Sequence, residues 1–249
     1  MKKFWFILTA LVATCFLVAC SGSQGVSPKT IQEKKKIVVA TESEFAPFEF
    51  KSLVNGKDTL VGADIELAKA IGEKLGVKVE FSVMSFDNVL ANVQSGKADI
   101  AIAGISVTDE RKKVYDFSDS YYTSENVVIV KKDKVNDYTS TDSLAKQTVG
   151  TQKGSVQETV AKKQIPKASV VSLASNGEMI NELKSGQLQA VVLEKAIAEG
   201  YIAQNDDLTL ANFNLKSDGT DAYAVATRKG SDDLLKEINA VIKETKDSG

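Results

Sequence analysis

The sequence predicts an α/β fold of two similar lobes, in which helices flank mixed, mostly parallel sheets. Short β-branched runs alternate with helical patterns, which is typical of βαβ units. The segments "LANVQSGKADIAIAG" and "INELKSGQLQAVVLE" share one pattern of a helix, a Ser-Gly stop and a buried strand. Two extended, alternating segments at 125–134 and 222–231 are the expected crossings between the lobes.

In the first half, the β-branched run "IVVAT" at 37–41 predicts a buried strand. Apolar residues at helical spacing over 60–75 predict a helix that ends at Gly76. An alternating strand over 77–83, a short helix closed by Gly96 and the strand "ADIAIAG" complete this half.

The second half repeats the pattern. "QTVGTQKGS" is a strand with a glycine turn, followed by the helix "VQETVAKK" and the strand "ASVVSL". The helix "NGEMINELKSG" stops at Gly186, and the strand "QLQAVVLE" ends at Glu194. If lobe 2 is inserted into lobe 1, then lobe 1 spans 36–123, lobe 2 spans 124–222, and residues 223–249 return to lobe 1.

The N-terminus predicts export from the cytoplasm. Residues 1–19 combine a basic start with a short apolar run, as in a secretory signal peptide. "LVAC" resembles a bacterial lipobox, so we expect cleavage before Cys20 and a diacylglycerol on its sulfur. Residues 20–35 are then expected to form a flexible tether. Cys15 leaves with the signal peptide and Cys20 is lipidated, so no disulfide is expected.

Composition excludes several classes of function. The net charge is −2, and loss of Lys2 and Lys3 makes it −4, which gives no basic surface for nucleic acid. The chain has no histidine, which excludes histidine-based triads and His-ligated metal sites. We therefore expect no metal and no cofactor.

Polar and aromatic residues gather at the predicted strand ends, where ligands of such sheets bind. The residues there are Glu42, Phe45, Phe86, Ala103, Gly104, Ser106, Arg111, Ser155 and Glu194. A guanidinium and a carboxylate on opposite sides of a cleft suit a zwitterion, with aromatic walls for its side chain. The residues alone leave open a surface role for Glu194, a core role for the two phenylalanines, and solvent pairing of Arg111 with Asp109 or Asp116.

Five segments resemble the bacterial extracellular solute-binding proteins of family 3, the polar amino-acid receptors of ABC importers. They are "ATESEFAPFEF", "LVGADIELAKAIGEKLG", "NVLANVQSGKADIAIAGISVTDERKKVYDFSDSYY", "VGTQKGSVQE" and "AYAVATRKG". The resemblance covers roughly residues 36 to 245, and the third segment is close to the family signature. It implies the two-lobed, periplasmic-binding-protein-like (type II) fold, with the ligand in the cleft between the lobes.

The resemblance also implies roles for residues. Arg111 would clamp the α-carboxylate, assisted by the Ser106 hydroxyl and the backbone around Gly104. From lobe 2, Ser155 and the amide of Val156 would complete the carboxylate cage. Glu194, where the family usually has Asp, would hold the α-ammonium. Phe45 would stack on the ligand side chain and Phe86 would form the opposite wall; Lys112 and Lys113 are expected to face solvent.

Glu42 occupies the position that contacts the far end of the ligand. An acid there suits the guanidinium of arginine first, then lysine or another cationic side chain, and then glutamine. A glutamine receptor and an enzyme resembling cyclohexadienyl dehydratases stay open as alternatives. A sensor domain of a membrane kinase is disfavoured, because no second membrane segment follows.

The expected protein is a monomer that performs no chemistry and is anchored through Cys20 on the extracytoplasmic face of the cell membrane. Its closed form would deliver an amino acid to an ABC permease. One departure from the family concerns the C-terminus, because this chain stops at "KETKDSG" where relatives continue into a final helix. We therefore expect a truncated lobe 1 that lacks its closing helix.

Overall fold

The computed structural model describes residues 25–217, 219 and 221–248. The predicted signal peptide and Cys20 lie outside the described residues. The helices are α1 Pro28–Lys34, α2 Ala63–Leu75, α3 Phe86–Gln94, α4 Asp109–Lys112, α5 Val156–Gln164, α6 Asn176–Ser185, α7 Lys195–Gln204 and α8 Asp232–Ser248. The strands are β1 Lys36–Thr41, β2 Glu44–Phe45, β3 Glu49–Val54, β4 Lys57–Val61, β5 Lys78–Val83, β6 Ile100–Ala101, β7 Tyr115–Phe117, β8 Tyr122–Thr123, β9 Asn126–Lys131, β10 Thr148–Gln152, β11 Ser169–Leu173, β12 Ala190–Glu194, β13 Leu208–Leu210, β14 Ala222–Tyr223 and β15 Ala226–Arg228.

Each lobe is built on a five-stranded sheet, and the two sheets share one design. The first has the order β5-β1-β6-β15-β7 and the second the order β11-β10-β12-β9-β13. In each, the first three strands run parallel and the fourth is antiparallel to both of its neighbours. The predicted α/β fold with two similar, mostly parallel lobes is confirmed.

Two chain segments connect the lobes side by side. β8 and β14 form a two-stranded antiparallel sheet, in which Thr123 pairs with Ala222 and Tyr122 with Tyr223. The Ser124 N–H extends this pairing by donating to the Asp221 carbonyl at 2.8 Å. A two-stranded connection can bend without breaking either sheet, which suits a hinge between lobes.

The predicted helix over 60–75 begins later than expected. Leu60 and Val61 belong to β4, where they pair with Lys51 and Phe50 of β3 in a small sheet of β2, β3 and β4. Gly62 separates strand from helix at φ 124°, and a Cβ there would lie 2.2 Å from the Phe48 carbonyl oxygen. A short apolar run does not distinguish strand from helix, so periodicity assigned these two residues wrongly.

The tether prediction over 20–35 is wrong for its last part, because residues 28–34 form α1. Ser27 and Thr30 form a reciprocal capping box, and Pro28 occupies the first helical position. Ile31 is fully buried against lobe 1, which holds the helix in place. Capping residues and one apolar anchor thus outweigh a composition that resembles a linker.

The expected loss of the closing helix is also wrong. α8 spans 17 residues and packs against α2. Its apolar face, which includes Leu234 and Ile238, joins the buried core around Leu67 and Ile71. The apolar residues of "DDLLKEINAVIKE" recur at helical spacing and therefore indicate this helix. The expectation of a missing helix came from the family resemblance and did not take this spacing into account.

We predict that Ile238→Ala destabilises the protein by about 2–5 kcal/mol, because a fully buried side chain leaves a cavity. Chemical denaturation of the mature protein measures the effect. Lys243→Ala on the exposed face of the same helix is the control and should stay within about 0.5 kcal/mol of the parent. Equal stability of the two variants would show that α8 does not support lobe 1.

Candidate functional site

Arg111 points into the cleft between the lobes. It lies in the short helix α4, which Thr108 caps by accepting the Arg111 N–H at 3.1 Å. Nη1 of Arg111 donates to the Ser106 carbonyl at 2.7 Å, and Nη2 donates to the Gly154 carbonyl of the other lobe at 3.1 Å. The guanidinium carbon lies 5.8 Å from the centre of the Phe86 ring. These contacts fix the guanidinium plane between the lobes.

Arg111 forms no ion pair with its acidic neighbours. Asp109 lies 3.9 Å from Lys112, and Asp116 lies 2.7 Å from Lys229. Within the described part of the chain, no carboxylate oxygen lies within 4.0 Å of the Arg111 guanidinium. Burial lowers the pKa of Arg111 to about 10, and the charge of Glu194 opposes this shift. Lys112 and Lys113 are exposed.

Glu194 supplies the opposite charge from lobe 2. It is the last residue of β12, directly precedes α7, and is only 6% exposed. Burial raises the pKa of Glu194 to about 7, while the Gln157 amide and the Arg111 charge oppose the increase. A cationic ligand group beside Glu194 would favour its ionised form.

The start of α5 faces Arg111 across the cleft. Ser155 precedes the helix, and its N–H donates to the Gln152 carbonyl at 3.2 Å. Val156 is the first residue of the helix, so its backbone N–H belongs to the turn whose amides lack helical partners. A cavity of about 630 Å³ runs between residues 108–111 and residues 154–156. The Ser155 hydroxyl donates to the Gln152 carbonyl at 2.7 Å. It would have to rotate to donate to a ligand carboxylate, so the Val156 amide is the better preset donor.

Glu42 lies at the interface of the lobes and is 4% exposed. Gln152 of lobe 2 donates from Nε2 to Oε2 of Glu42 at 3.0 Å. Among the described residues, Oε1 of Glu42 has no hydrogen-bond partner. Burial raises the pKa of Glu42 to about 8, so this carboxyl is mainly neutral at pH 7 unless a cation approaches.

Phe45 and Gly104 form one tightly packed wall of lobe 1, beside the buried Ala103. Gly104 has φ 54°, and a Cβ at this position would lie 2.5 Å from Cε1 of Phe45. The Gly104 N–H donates to Oδ2 of Asp64 at 3.0 Å, so this amide is not free to bind a ligand. A carbonyl oxygen can only accept, so Gly104 itself has no backbone donor left for a ligand carboxylate.

Several contacts between the lobes were not anticipated from the sequence. Asp87 of lobe 1 forms a 2.9 Å ion pair with Lys153. On the other side of the cleft, the carboxylate of Glu44 accepts hydrogen bonds from the Ser175 hydroxyl and from the Gly177 N–H, the latter at 3.1 Å. These residues are ordinary surface charges in the sequence, and only the closed arrangement of the lobes brings them together.

The described residues contain neither a cluster of metal-ligating side chains nor a membrane-spanning helix. No group of three or more histidine, cysteine, aspartate or glutamate side chains there is arranged to hold a metal ion. Within the same residues, no helix is both long enough and apolar enough to cross a membrane.

Two lobes on similar sheets, with charged groups lining the cleft, define a two-lobed ligand-binding protein. The model of the bacterial extracellular solute-binding proteins, family 3, matches residues 37–249, and the chain belongs to this family. The arginine-binding extracellular protein ArtP of Bacillus subtilis (strain 168) is 35% identical over 254 residues, which cover 100% of this chain and 94% of that protein. The ABC transporter glutamine-binding protein GlnH of the same organism is 32% identical over 265 residues, with 100% and 94% covered.

Solved structures agree with this assignment. The amino acid ABC transporter substrate-binding protein AbpA from Streptococcus pneumoniae, bound to L-arginine, superposes with a TM-score of 0.86 at 52% identity. The match covers 89% of this chain and 93% of that one. Holo ArgBP from T. maritima superposes with a TM-score of 0.81 at 34% identity, covering 88% and 93%. The family resemblance and the two-lobed fold expected from the sequence are thereby confirmed.

We predict that Glu44→Ala shifts the ligand-free protein toward an open form. The loss of interlobe hydrogen bonds worth about 1 kcal/mol changes the ratio of closed to open molecules about fivefold. Small-angle X-ray scattering should detect a larger radius of gyration. Glu66→Ala is the control, because Glu66 is exposed on lobe 1 and pairs with Lys69 of its own helix. Identical scattering from the two variants would contradict a role of Glu44 in closure.

Proposed function

We propose that this protein is the extracytoplasmic substrate-binding component of an ABC importer and that its ligand is arginine. The observation that carries the proposal is Glu42, a buried carboxyl group with one oxygen that no described residue satisfies. A buried acid of this kind is stabilised by a cationic partner, because an unpaired buried charge is costly. The arginine-binding ArtP and the arginine-bound AbpA support the same ligand by similarity.

The two ends of the ligand backbone match the two sides of the cleft. Arg111 would bind the α-carboxylate in a forked geometry, with the Val156 amide and the Ser155 hydroxyl completing the site from lobe 2. Ser106 supports the clamp, since its carbonyl accepts from Nη1 of Arg111. Glu194 would hold the α-ammonium. Each ligand charge thus meets an opposite charge, as binding in a water-excluded cleft requires.

The side chain of the ligand would extend toward Glu42. Its guanidinium would pair with the free oxygen of Glu42, while Phe45 and Phe86 form apolar walls and Ala103 leaves room beside them. Glutamine is the second candidate, because GlnH of Bacillus subtilis is named for that ligand. Glutamine carries no positive charge to offset ionised Glu42, which is why arginine ranks first.

Binding would proceed by closure of the lobes. Ligand that first contacts lobe 1 gains the contacts of Ser155, Val156 and Glu194 only when lobe 2 closes, so it shifts the population toward the closed form. The paired strands β8 and β14 would act as the hinge. A membrane permease would recognise the closed monomer, and a diacylglycerol on Cys20 would hold the protein near it.

We propose no enzymatic activity. Carboxyl groups with a raised pKa are also what acid–base catalysis uses, so a reaction needs a direct test. Incubation of the mature protein with arogenate or prephenate should leave both compounds unchanged. Turnover of either one would replace the transport proposal with a dehydratase.

We predict that calorimetric titration with the common amino acids gives the tightest binding for L-arginine. Arg111→Ala should abolish measurable binding, because truncating one member of a buried ion pair costs about 2–5 kcal/mol or more. Lys112→Ala, an exposed neighbour in the same helix, is the matched control and should bind normally. Retained affinity in Arg111→Ala would refute the carboxylate clamp.

Specificity depends on Glu42 in this proposal. Glu42→Gln should weaken arginine binding strongly and glutamine binding little or not at all, since only arginine brings a cation to this position. The readout is the ratio of the two dissociation constants in the variant and the parent. If both affinities are unchanged, Glu42 does not determine specificity.

The raised pKa of Glu42, about 8, predicts that arginine binding depends on pH. A bound cation stabilises the ionised carboxylate and lowers its pKa, so binding releases a proton at pH values below about 8. Affinity should therefore rise from about pH 6 to about pH 8, with Glu194 contributing in the same direction. Titrations in buffers of different ionisation enthalpy count the released protons, and Glu42→Gln should release fewer than the parent.

A further inference from the structure

Two buried carboxyl groups lie behind the ligand site in lobe 1, and the proposed binding mechanism uses neither. Glu49, the first residue of β3, is 0% exposed, and Asp64, the second residue of α2, is 1% exposed. The Asp64 N–H donates to the carbonyl of Phe48, the residue before Glu49, at 2.9 Å, and this places the two carboxyl groups near each other. The charge of Asp64 accordingly raises the pKa of Glu49. As two carboxylates they could only accept, and among the described residues both oxygens of Glu49 and Oδ1 of Asp64 then have no donor.

The remaining oxygen of Asp64 has two donors from separate parts of the fold. The Gly104 N–H donates to Oδ2 at 3.0 Å, and the Tyr121 hydroxyl donates to the same atom at 2.9 Å. Gly104 packs against Phe45 in the site wall, and Tyr121 directly precedes β8 of the crossing. One carboxylate oxygen therefore joins the ligand-site backbone to the start of the hinge.

The surroundings decide which of the two carboxyl groups holds a proton. Burial, and then the neighbouring charge of Asp64, raise the pKa of Glu49 far above its ordinary value. Burial also raises the pKa of Asp64, but its bonds from Gly104 and Tyr121 oppose the increase. Asp64 also lies in the first turn of α2, where the helix dipole favours a negative charge. The proton therefore belongs on Glu49 and the charge on Asp64.

We propose that Glu49 and Asp64 share one proton and form a positioning pair, in which protonated Glu49 donates to Asp64 and Asp64 holds Gly104 and Tyr121 in place. A single shared proton supplies a donor to both carboxyl groups and removes the repulsion between two buried charges. Neither residue contacts the ligand. Their effect on binding acts through Gly104, whose amide sets the wall against which Phe45 packs.

Two substitutions of similar length at residue 49 test whether this side chain must donate a hydrogen bond or only fill its volume. Glu49→Gln keeps an N–H that can donate to Asp64, whereas Glu49→Met fills a similar volume and donates nothing. Without a donor, Asp64 loses support for its charge and takes up a proton, which weakens its bonds to Gly104 and Tyr121. We expect the arginine dissociation constant of Glu49→Gln to stay within about twofold of the parent and that of Glu49→Met to rise about tenfold.

NMR gives a readout that a general loss of stability would not move. The side-chain ¹³Cδ of Glu49 should report a protonated carboxyl at pH 7. The Gly104 amide proton should keep its shift in Glu49→Gln and move in Glu49→Met. Asp99→Asn is the matched control, since Asp99 is equally buried in lobe 1 but precedes β6, whereas Gly104 follows it. This control should lose stability without changing arginine affinity or the Gly104 shift.

An ionised Glu49 in the parent at pH 7 would overturn the shared proton, and this measurement needs only the parent protein. A parent-like Gly104 shift and affinity in Glu49→Met would overturn the positioning role. If Glu49→Met does not fold, Glu49→Gln provides the test instead. An altered arginine affinity and an altered Gly104 shift in Glu49→Gln would also overturn the positioning role. Only the affinity readout rests on the proposed function. If the parent does not bind arginine, that function is refuted. The NMR shifts would still show whether Glu49 and Asp64 share a proton.

Discussion

The structure depends on one constraint, the placement of ionisable groups at a poorly hydrated surface between two lobes. Glu42 and Glu194 are buried and Arg111 is half-buried, and among the described residues none of the three forms an ion pair. A single-lobed protein could satisfy such groups only with its own side chains. Here the lobes can separate and rehydrate them, or close around a partner that brings the missing charges. Binding and closure are therefore coupled, because the charges of the partner offset the cost of removing these groups from water.

The duplicated sheet design explains where these charges lie. In each lobe, three parallel strands bring their carboxyl ends to the edge that faces the other lobe. Glu42 follows β1, while Glu194 ends β12. The antiparallel fourth strand of each sheet, β15 or β9, directly follows a crossing strand, β14 or β8, along the chain. The hinge is therefore connected to the core sheet of each lobe. A rotation at the hinge moves the charges of one lobe relative to the other without disturbing either sheet.

Sequence reasoning predicted the parts of the fold that depend on local periodicity. The β-branched run "IVVAT", the Gly-stopped helix before Gly186 and the strand ending at Glu194 all have a local signal. The parts it missed depend on distant contacts. Leu60 and Val61 are strand residues because β3 pairs with them, and α1 is ordered because Ile31 finds a core to enter. Neither partner is visible in the local sequence.

The same distinction applies to the site. The residues expected to contact a ligand were predicted from strand ends and from a specific family signature. In the structure, Arg111 contacts Ser106, Gly154 and the Phe86 ring. Gln152, Glu44, Asp87 and Lys153 could not be found in this way. Their roles arise from side chains that meet across the cleft, where neither lobe alone contains the complete interaction.

Asp64 illustrates how a buried residue behind the predicted site can still limit that site. Its acceptor oxygen holds an amide of the wall that Phe45 packs against, and it also holds a tyrosine at the entrance to the hinge. Any change in the charge of Asp64 would therefore alter the wall and the hinge together. In the proposed pair, protonated Glu49 is the neutral donor that would keep this charge constant. Asp64 thus links two parts of lobe 1, the wall beside Phe45 and the residue before β8, whereas Glu194 and the start of α5 belong to lobe 2.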